Sequence, residues 1–171
     1  MNKEAKHSDA KRPKENQEII ALRKAMSKAL EEKRYEHTLG VAYTAAALAM
    51  RYGQNVHKAQ TAGHLHDCAK NLTNEKRLDI CRKNNIPINA AEEKNPFLLH
   101  AKVGSYLAQK KYGISDREIL DAITYHTTGR PDMTVMDKII YIADYIEPGR
   151  SQAPGLPEVR RLAFTDLDDC L

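Results

Sequence analysis

The sequence predicts an all-α protein that folds as a single domain. Apolar residues recur at spacings of three and four along most of the chain, which places them on one side of a helix. No segment shows a convincing alternation of apolar and polar residues, the pattern of a half-buried strand. Hydrophobic residues occupy 42% of the 171 positions, and only 6% are aromatic. Because Ala, Leu and Ile dominate this apolar set, the composition also favours helices around one core.

Seven helices are predicted in order, and a further helix is expected after a last loop. Their expected ranges are 15–33, 36–52, 56–70, 74–84, 99–112, 116–128 and 132–146. Gly53 and Gly113 follow two of these helices, as glycines that end a helix in the left-handed conformation commonly do. Ser115 and Glu118, three residues apart, are typical of a capping box at the start of another.

Two stretches are predicted to be irregular because proline and glycine punctuate them. Pro87 and Pro96 bound the first, between the fourth and fifth helices. The second runs from 148 to 157 and contains three prolines and two glycines. The last helix is expected after it.

The first 14 residues are predicted to form a disordered basic tail, and residues 15–171 the folded domain. Much of the formal net charge of +4 lies in this tail, on Lys3, Lys6, Lys11, Arg12 and Lys14. A basic tail can contact polyanions, but a solvated leader is the simpler interpretation.

Three features favour a cytoplasmic protein. The cysteines Cys68, Cys81 and Cys170 are widely spaced and odd in number, so a disulfide framework is not expected. The basic N-terminus lacks the apolar segment of a secretory signal, and no apolar run approaches the length of a membrane span. We also expect no specific nucleic-acid partner, because the positive charge is modest and no basic patch is interleaved with aromatic residues.

Five predicted helices each carry an ionisable residue in the apolar stripe that should face the core. His126, for example, is in register with Ile119 and Ile123. The five positions are His37, His66, His100, His126 and Asp144, and Asp67 is adjacent to His66. Burying these groups separately would cost more than the roughly 5–15 kcal/mol by which a domain is stable. One shared cation resolves this cost, because imidazole and carboxylate are usual ligands of iron, manganese and zinc.

Each histidine taken singly has a simpler interpretation, as a core residue hydrogen-bonded to a backbone carbonyl. Five helices that all place such a residue inward favour the shared metal instead. The other histidines are predicted at the surface. His7 is in the tail, His57 begins a helix, and His64 is about 200° round the helix from His66.

Several local strings resemble one known family. They are RYEHTLGV at 34–41, HLHDCAK at 64–70, LLHA at 98–101, ITYHTTG at 123–129 and IADYIEPGR at 142–150. Their order resembles the HD-domain metal-dependent phosphohydrolases, whose fold is a helical bundle with a metal centre in the core. HTTG and ADYIEPGR resemble the bacterial YqeK branch, the symmetrical diadenosine tetraphosphate hydrolases. The resemblance runs from about residue 18 to the end. Family members usually continue past Leu171 through one more helix, so a C-terminal truncation is one interpretation.

The resemblance implies a centre of two divalent transition-metal ions, most often iron, with manganese and others as alternatives. One metal would take His37, His66, Asp67 and Asp144. The second would take His100 and His126, with Asp67 bridging both. Water activated between the metals would be the nucleophile.

Groups near these ligands are expected to hold the substrate. Lys70 lies three residues after Asp67, on the same side of a predicted helix, so these two are the candidate catalytic residues. The expected phosphate-binding residues are Lys70, Thr127, Thr128, Gly129, Arg130 and Arg150. For each cation the alternative is an ordinary surface residue. Glu147 is expected to support a ligand from behind.

The predicted function is therefore hydrolysis of diadenosine tetraphosphate to two ADP. The alternative is an HD-type phosphohydrolase acting on another nucleotide or a phosphomonoester, because many such enzymes share the ligand set. A binding module with a structural metal is less favoured, since structural zinc usually has four ligands, often cysteine. The sequence leaves the oligomeric state open, with a homodimer as one interpretation.

Overall fold

The computed structural model describes residues 14–171, and all regular secondary structure in this range is helical. Nine α-helices occur among these residues: α1 Lys14–Ala29, α2 Glu32–Arg51, α3 Val56–Leu65, α4 Asn74–Lys83, α5 Ala90–Lys94, α6 His100–Lys110, α7 Arg117–Tyr125, α8 Val135–Ile146 and α9 Leu156–Leu162. Short 3-10 turns span Pro96–Leu99 and Asp168–Cys170. The predicted all-α class is confirmed. The predicted tail lies outside the described residues except for Lys14, which begins α1.

The helices α2, α3 and α8 form the centre of the bundle. α2 packs along α3 and α8, α7 packs against α3, α6 and α8, and α1 covers another side of α3. Fully buried side chains from these helices fill the main core, among them Met26, Leu48, Leu65, Ile123 and Ile140. A smaller cluster around Cys81, Leu99 and Val103 lies beneath α4 and the first 3-10 turn.

The contact between α2 and α3 is close because both helices present small residues there. A Cβ atom added to Gly63 would lie 2.6 Å from Ala42 Cα. Ala42, Ala45 and Ala49 are fully buried along the same helix. Small side chains set a short distance between helix axes, and this brings the ends of α2 and α3 that carry polar residues together.

Two helices have bounds that differ from their predicted ranges, next to His66 and His100. The third was expected to reach residue 70, but α3 ends at Leu65 and the chain continues in tight turns. Cys68 and Lys70 donate backbone hydrogen bonds to residues three positions earlier, at 3.1 and 2.9 Å. The fifth predicted helix begins as a 3-10 turn at Pro96, and its α-helical part starts at His100.

The glycines predicted to follow helices are confirmed, whereas the predictions near α5 and α7 were wrong. Gly53 and Gly113 have φ angles of +64° and +71°, as expected for glycines that follow helices. The predicted cap at Ser115 was wrong, because Asp116 caps α7. Its side chain accepts hydrogen bonds from the backbone N–H groups of Glu118 and Ile119. The stretch predicted to be irregular contains α5, whose capping box is formed by Asn89 and Glu92.

No helix within residues 14–171 combines the length and the apolar character that crossing a membrane requires.

Candidate metal centre and substrate groove

Six predicted metal-ligating residues come from five separate segments and meet at one point in the bundle. The segments are the first half of α2, the turn after α3, the start of α6, the end of α7 and the last turn of α8. They contribute, in that order, His37, His66 with Asp67, His100, His126 and Asp144. The structure brings all six together.

Asp67 is central, and its two carboxylate oxygens face different pairs of histidines. Oδ2 lies 3.5 Å from His66 Nε2 and 4.0 Å from His37 Nε2. Oδ1 lies 3.4 Å from His100 Nε2 and 3.5 Å from His126 Nε2. One carboxylate therefore stands between two groups of nitrogen donors.

Asp144 belongs to the group formed by His37 and His66. Its Oδ1 lies 3.0 Å from His37 Nε2 and 4.0 Å from His66 Nε2. Three sets of donor atoms each lie within 4.8 Å of one another: His37, His66 and Asp67; His66, His126 and Asp144; and Asp67, His100 and His126. The third set is the second group of ligands that the family resemblance implied, and the first set contains three of the four residues implied for the other group.

Hydrogen bonds outside the cluster orient the imidazole rings. His66, His100 and His126 each place Nδ1 2.7 Å from the backbone carbonyl three residues earlier. A carbonyl can only accept, so Nδ1 carries the proton in each ring and Nε2 keeps its lone pair. This arrangement is typical of histidines that bind a metal through Nε2.

The donor atoms inside the cluster need a cation. His37 Nε2, His66 Nε2 and Asp67 Oδ1 are buried and have no hydrogen-bond partner among the residues that the structure describes. His100 Nε2 and His126 Nε2 lie 3.2 Å apart, so two lone pairs face each other. Buried polar atoms are normally satisfied. The cluster therefore fits divalent metal binding.

The protonation states suit metal ligands. Burial lowers the pKa of His100 to about 3, and the neighbouring His126 acts in the same direction. Burial alone would raise the pKa of Asp67, but the adjacent imidazoles of His66 and His126 hold it well below the usual range. Burial is likewise the largest single influence on Asp144 and would raise its pKa, but the neighbouring His37, His66 and His126 together hold this pKa below the usual range. Neutral imidazole and ionised carboxylate are the forms that bind metals.

Glu147 supports His37 from behind, as the sequence predicted. Its buried carboxylate accepts hydrogen bonds from His37 Nδ1 at 3.0 Å and from the backbone N–H of Gly149 at 2.6 Å. A Cβ atom at Gly40 would lie 2.5 Å from Glu147 Oε2, so glycine at this position of α2 leaves room for the carboxylate.

A groove of about 940 Å³ opens beside His37. Its cationic lining residues are Lys33, Arg34, Lys70 and Arg150. An opening of this size with several positive side chains can accept a polyphosphate next to the cluster.

Lys70 and Thr127 reach the cluster itself. Lys70 Nζ lies 3.0 Å from His100 Nε2 and 3.5 Å from Asp67 Oδ1. Burial lowers the pKa of Lys70, although Asp67 opposes this effect. Thr127 Oγ1 lies 3.1 Å from both His100 Nε2 and His126 Nε2. Both residues are placed to meet a group bound at the His100 side.

The two predicted arginines have different positions. Arg150 lines the groove, and it donates through Nη2 to the Asp144 carboxylate at 2.8 Å and through Nε to the Asp144 backbone carbonyl at 3.0 Å. Arg130 is engaged elsewhere, since its guanidinium lies 2.7 Å from Asp137 and 3.3 Å from Asp121.

The turn after Thr127 contains the remaining residues that were expected to bind phosphate. Thr128 is exposed and donates to the Gly129 carbonyl at 3.2 Å. Gly129 has a φ angle of +64°, in the left-handed region that favours glycine. This conformation turns the chain directly after His126.

Arg34 is a residue of the site that the sequence reasoning missed. Its Nη1 donates to Asp67 Oδ2 at 2.9 Å, and its side chain lines the groove. Arg34 lies three residues before His37 on α2. That spacing places two residues on one helix face, and it was the signal that could have identified Arg34.

The prediction that His64 lies at the surface was wrong, because α3 is covered on more than one side. His64 is fully buried, and both ring nitrogens lack a hydrogen-bond partner among the described residues. Burial lowers its pKa to about 4, with the charge of Arg23 from α1 as a further cause. His57 is half-buried, and its Nε2 lies 3.1 Å from Glu18 Oε2.

Cys68 is next to Asp67, but its surroundings are those of a packed thiol. Its Sγ donates to the Gly104 carbonyl at 3.4 Å. Burial raises the pKa of the thiol to about 12. A thiol with such a pKa is a poor nucleophile.

The cluster and its helical frame define the class of protein. The HD domain family matches residues 34–149, and the chain belongs to this family. Among its relatives, the Bacillus subtilis protein named symmetrical bis(5'-nucleosyl)-tetraphosphatase is 49% identical over 142 residues, which cover 83% of this chain and 75% of that protein. A Staphylococcus aureus protein of the same name is 44% identical, with 79% of this chain and 69% of that protein covered.

A solved structure has the same fold. It is described as a predicted HD superfamily hydrolase involved in NAD metabolism from Clostridium acetobutylicum. Its TM-score is 0.85 at 45% identity, and the match covers 88% of this chain and 79% of that one. The family resemblance stated from the sequence is therefore confirmed.

Proposed function

We propose that this protein is a metal-dependent hydrolase that cleaves diadenosine tetraphosphate symmetrically to two ADP. The observation that carries the proposal is the position of Asp67 between two pairs of histidines, beside a groove lined by cations. The relatives named symmetrical bis(5'-nucleosyl)-tetraphosphatase support the same substrate.

We propose that the cluster binds two divalent ions, with iron as the first candidate and manganese as the main alternative. His37, His66 and Asp144 would hold one ion, and His100 and His126 the other, and Asp67 would be a ligand of both. The ligand set contains nitrogen and oxygen but no thiolate, which suits iron or manganese. Bound ions would supply the Lewis acidity that activates water and neutralises charge on the phosphoryl group.

The chain's own cations are proposed to hold the phosphates. Lys70 lies against Asp67 and His100, so its ammonium is positioned for a phosphoryl oxygen at the cluster. Arg150 lines the groove on the Asp144 side, where its planar guanidinium can contact phosphate. The turn from Thr127 to Gly129 follows His126 directly and offers the Thr127 and Thr128 hydroxyls, whereas the Gly129 N–H already donates to the Tyr125 carbonyl. Arg130 is left out of this proposal, because it does not line the groove and its guanidinium is paired with Asp137 and Asp121.

Symmetrical cleavage follows if the groove holds two phosphates on one side of the attacked bond. Cationic side chains lie on two sides of the cluster. Arg34 and Lys70 lie near Asp67, and Arg150 lies near Asp144. Attack on the phosphorus at this point breaks the middle bridge, and ADP departs opposite the incoming water. Binding shifted by one phosphate would yield ATP and AMP instead.

A second candidate substrate comes from the solved relative, which is described as involved in NAD metabolism. Its resemblance to this chain favours testing other nucleotides joined through a pyrophosphate. The same metal centre could cleave them, because the ligands contact the phosphoryl group and not the nucleoside.

The decisive experiment is a product analysis of the metal-loaded enzyme with diadenosine tetraphosphate, diadenosine triphosphate, NAD and a simple phosphomonoester. Two ADP as the only products from the tetraphosphate would support the proposal. ATP with AMP would refute symmetrical cleavage. Hydrolysis of NAD or the monoester without hydrolysis of the tetraphosphate would replace the proposed function by the alternative.

We also propose a cytoplasmic location. The three cysteines are free thiols, as expected in a reducing compartment.

A further inference from the structure

The wall of the groove formed by α2 changes in chemistry along the helix. The lining residues from this helix are, in order, Lys33, Arg34, Glu36, His37, Leu39, Gly40 and Tyr43. Charged residues therefore precede the metal ligand, and apolar or aromatic residues follow it. A nucleotide changes in the same way along its length, from a charged phosphate end to a flat, largely apolar base.

Tyr43 lies at a suitable distance from the cluster for a base. It follows His37 by six residues on one continuous helix, which places it roughly 9 Å further along the axis. The ribose and two phosphates of one ADP half span a comparable length. Leu39 and Gly40 line the groove between the two residues.

The Tyr43 ring is open to a ligand. Its side chain is 50% exposed although it is large and aromatic. It makes no hydrogen bond with any residue that the structure describes, and its ring contact is Arg23, whose guanidinium carbon lies 6.0 Å from the ring centre. An exposed ring that lines a groove and makes so few contacts contributes little to folding.

Phe97, the other aromatic lining residue, has a different role. Lys70 Nζ lies 4.4 Å from its ring centre and the Arg77 guanidinium carbon 5.7 Å. The ring also packs against His100 at 5.1 Å. Phe97 therefore holds Lys70 beside the cluster, and Tyr43 remains the ring available for stacking.

We propose that Tyr43 is the stacking platform for one nucleobase of the substrate. The inference rests on the proposed function for the identity of that substrate as a dinucleoside polyphosphate. Stacking is tolerant of base identity because every base has a π face. The enzyme should therefore accept guanine in place of adenine at this position.

The test compares Tyr43→Ala, Tyr43→Phe and Phe164→Ala with the wild type, all metal-loaded. Phe164 is a matched control, since it is 42% exposed and does not line the groove. Tyr43→Ala should raise KM for diadenosine tetraphosphate roughly five- to a hundredfold with little change in kcat, as the loss of one stacked base implies. Tyr43→Phe keeps the ring and should retain most of the affinity that Tyr43→Ala loses, whereas Phe164→Ala should match the wild type.

Binding measurements separate the base from the phosphates. The Kd for ADP should rise in Tyr43→Ala by a similar factor, whereas the Kd for inorganic pyrophosphate should not change. An unchanged KM, or equal weakening of ADP and pyrophosphate, would overturn the assignment of Tyr43. If the wild type fails to hydrolyse the tetraphosphate, the proposed function fails, while the comparison of ADP with pyrophosphate still tests the stacking role.

Discussion

At the scale of single residues, His64 and His66 have opposite surroundings although only one residue separates them. His66 directs Nε2 towards Asp67 at 3.5 Å, and its Nδ1 is held by the Gly63 carbonyl. His64 is buried towards α1, near Arg23, and has no hydrogen-bond partner among the described residues. The cluster therefore requires His66, whereas His64 occupies space in the core.

We expect His66→Ala and Asp67→Ala to lower hydrolysis by at least about a hundredfold, because each removes a metal ligand. His64→Leu should retain activity within a few-fold, since leucine fills a similar volume. Turnover and bound metal would be measured on folded protein. Equal loss of activity in all three variants would contradict the separate roles of the two histidines.

His64 should also make stability depend on pH. Burial lowers its pKa from 6.5 to about 4. As pH falls from 6.5 to 4, the unfolded chain binds a proton there that the folded protein excludes, so stability is lost on acidification. The shift corresponds to roughly 3 kcal/mol. Urea denaturation at pH 7 and pH 4 should show a smaller loss for His64→Leu than for the wild type; identical losses would exclude this role.

At the scale of elements, the packing of α2 on α3 depends on Gly63. A Cβ atom there would lie 2.6 Å from Ala42 Cα and 3.1 Å from its backbone N, and neither atom can move without shifting a helix. We expect Gly63→Ala to destabilise the fold by about 1–3 kcal/mol, as overpacking does. Gly104→Ala is the control, because its nearest contact would be 3.4 Å. Thermal denaturation of both variants makes the comparison, and equal melting temperatures would contradict it.

The start of α8 depends on an ion pair between Arg130 and Asp137. Asp137 is almost fully buried, accepts from the Thr134 backbone N–H and lies 2.7 Å from Arg130 Nη2. Arg130→Met would leave that carboxylate without its cation, so we expect a loss of roughly 3 kcal/mol in stability. Arg117→Met should change stability little, because its pair with Asp121 is exposed and 3.8 Å long.

The two arginine variants also decide whether Arg130 contacts substrate. Denaturation curves and KM would be measured for both. A raised KM for Arg130→Met with unchanged stability would contradict the structural role and restore the phosphate contact expected from the sequence.

At the scale of the whole molecule, the cluster joins segments that are far apart in the sequence. Candidate ligands from α2, the turn after α3, α6, the end of α7 and α8 meet at one point. Bound metal should therefore stabilise the entire bundle, because it binds the folded state alone. Protein purified without chelators should contain about two transition-metal ions per chain. Chelation should abolish hydrolysis and lower the melting temperature, and added metal should restore both. A chelated protein with unchanged melting temperature and turnover would contradict a metal centre.

Much of the fold and the metal cluster could be predicted from the sequence because both depend on local periodicity. The spacing of Ile119, Ile123 and His126 places these residues on one helix face whatever surrounds the helix. The same reasoning identified five residues of the cluster, and Asp67 was added as the neighbour of His66, although α3 ends before both residues. A ligand that interrupts an apolar stripe is visible in the sequence alone.

Only the tertiary structure determined which elements pack on each helix face and which charged side chains form ion pairs. Periodicity placed His64 opposite His66, but α1 packs on that side of α3 and buries it. Arg130 follows the HTTG sequence directly, yet Asp137 and Asp121, seven and nine positions away, engage its guanidinium. Arg34 reaches Asp67 across 33 residues of sequence. A helix repeat sets the direction of a side chain, whereas burial and ion pairing depend on elements that meet only when the chain folds.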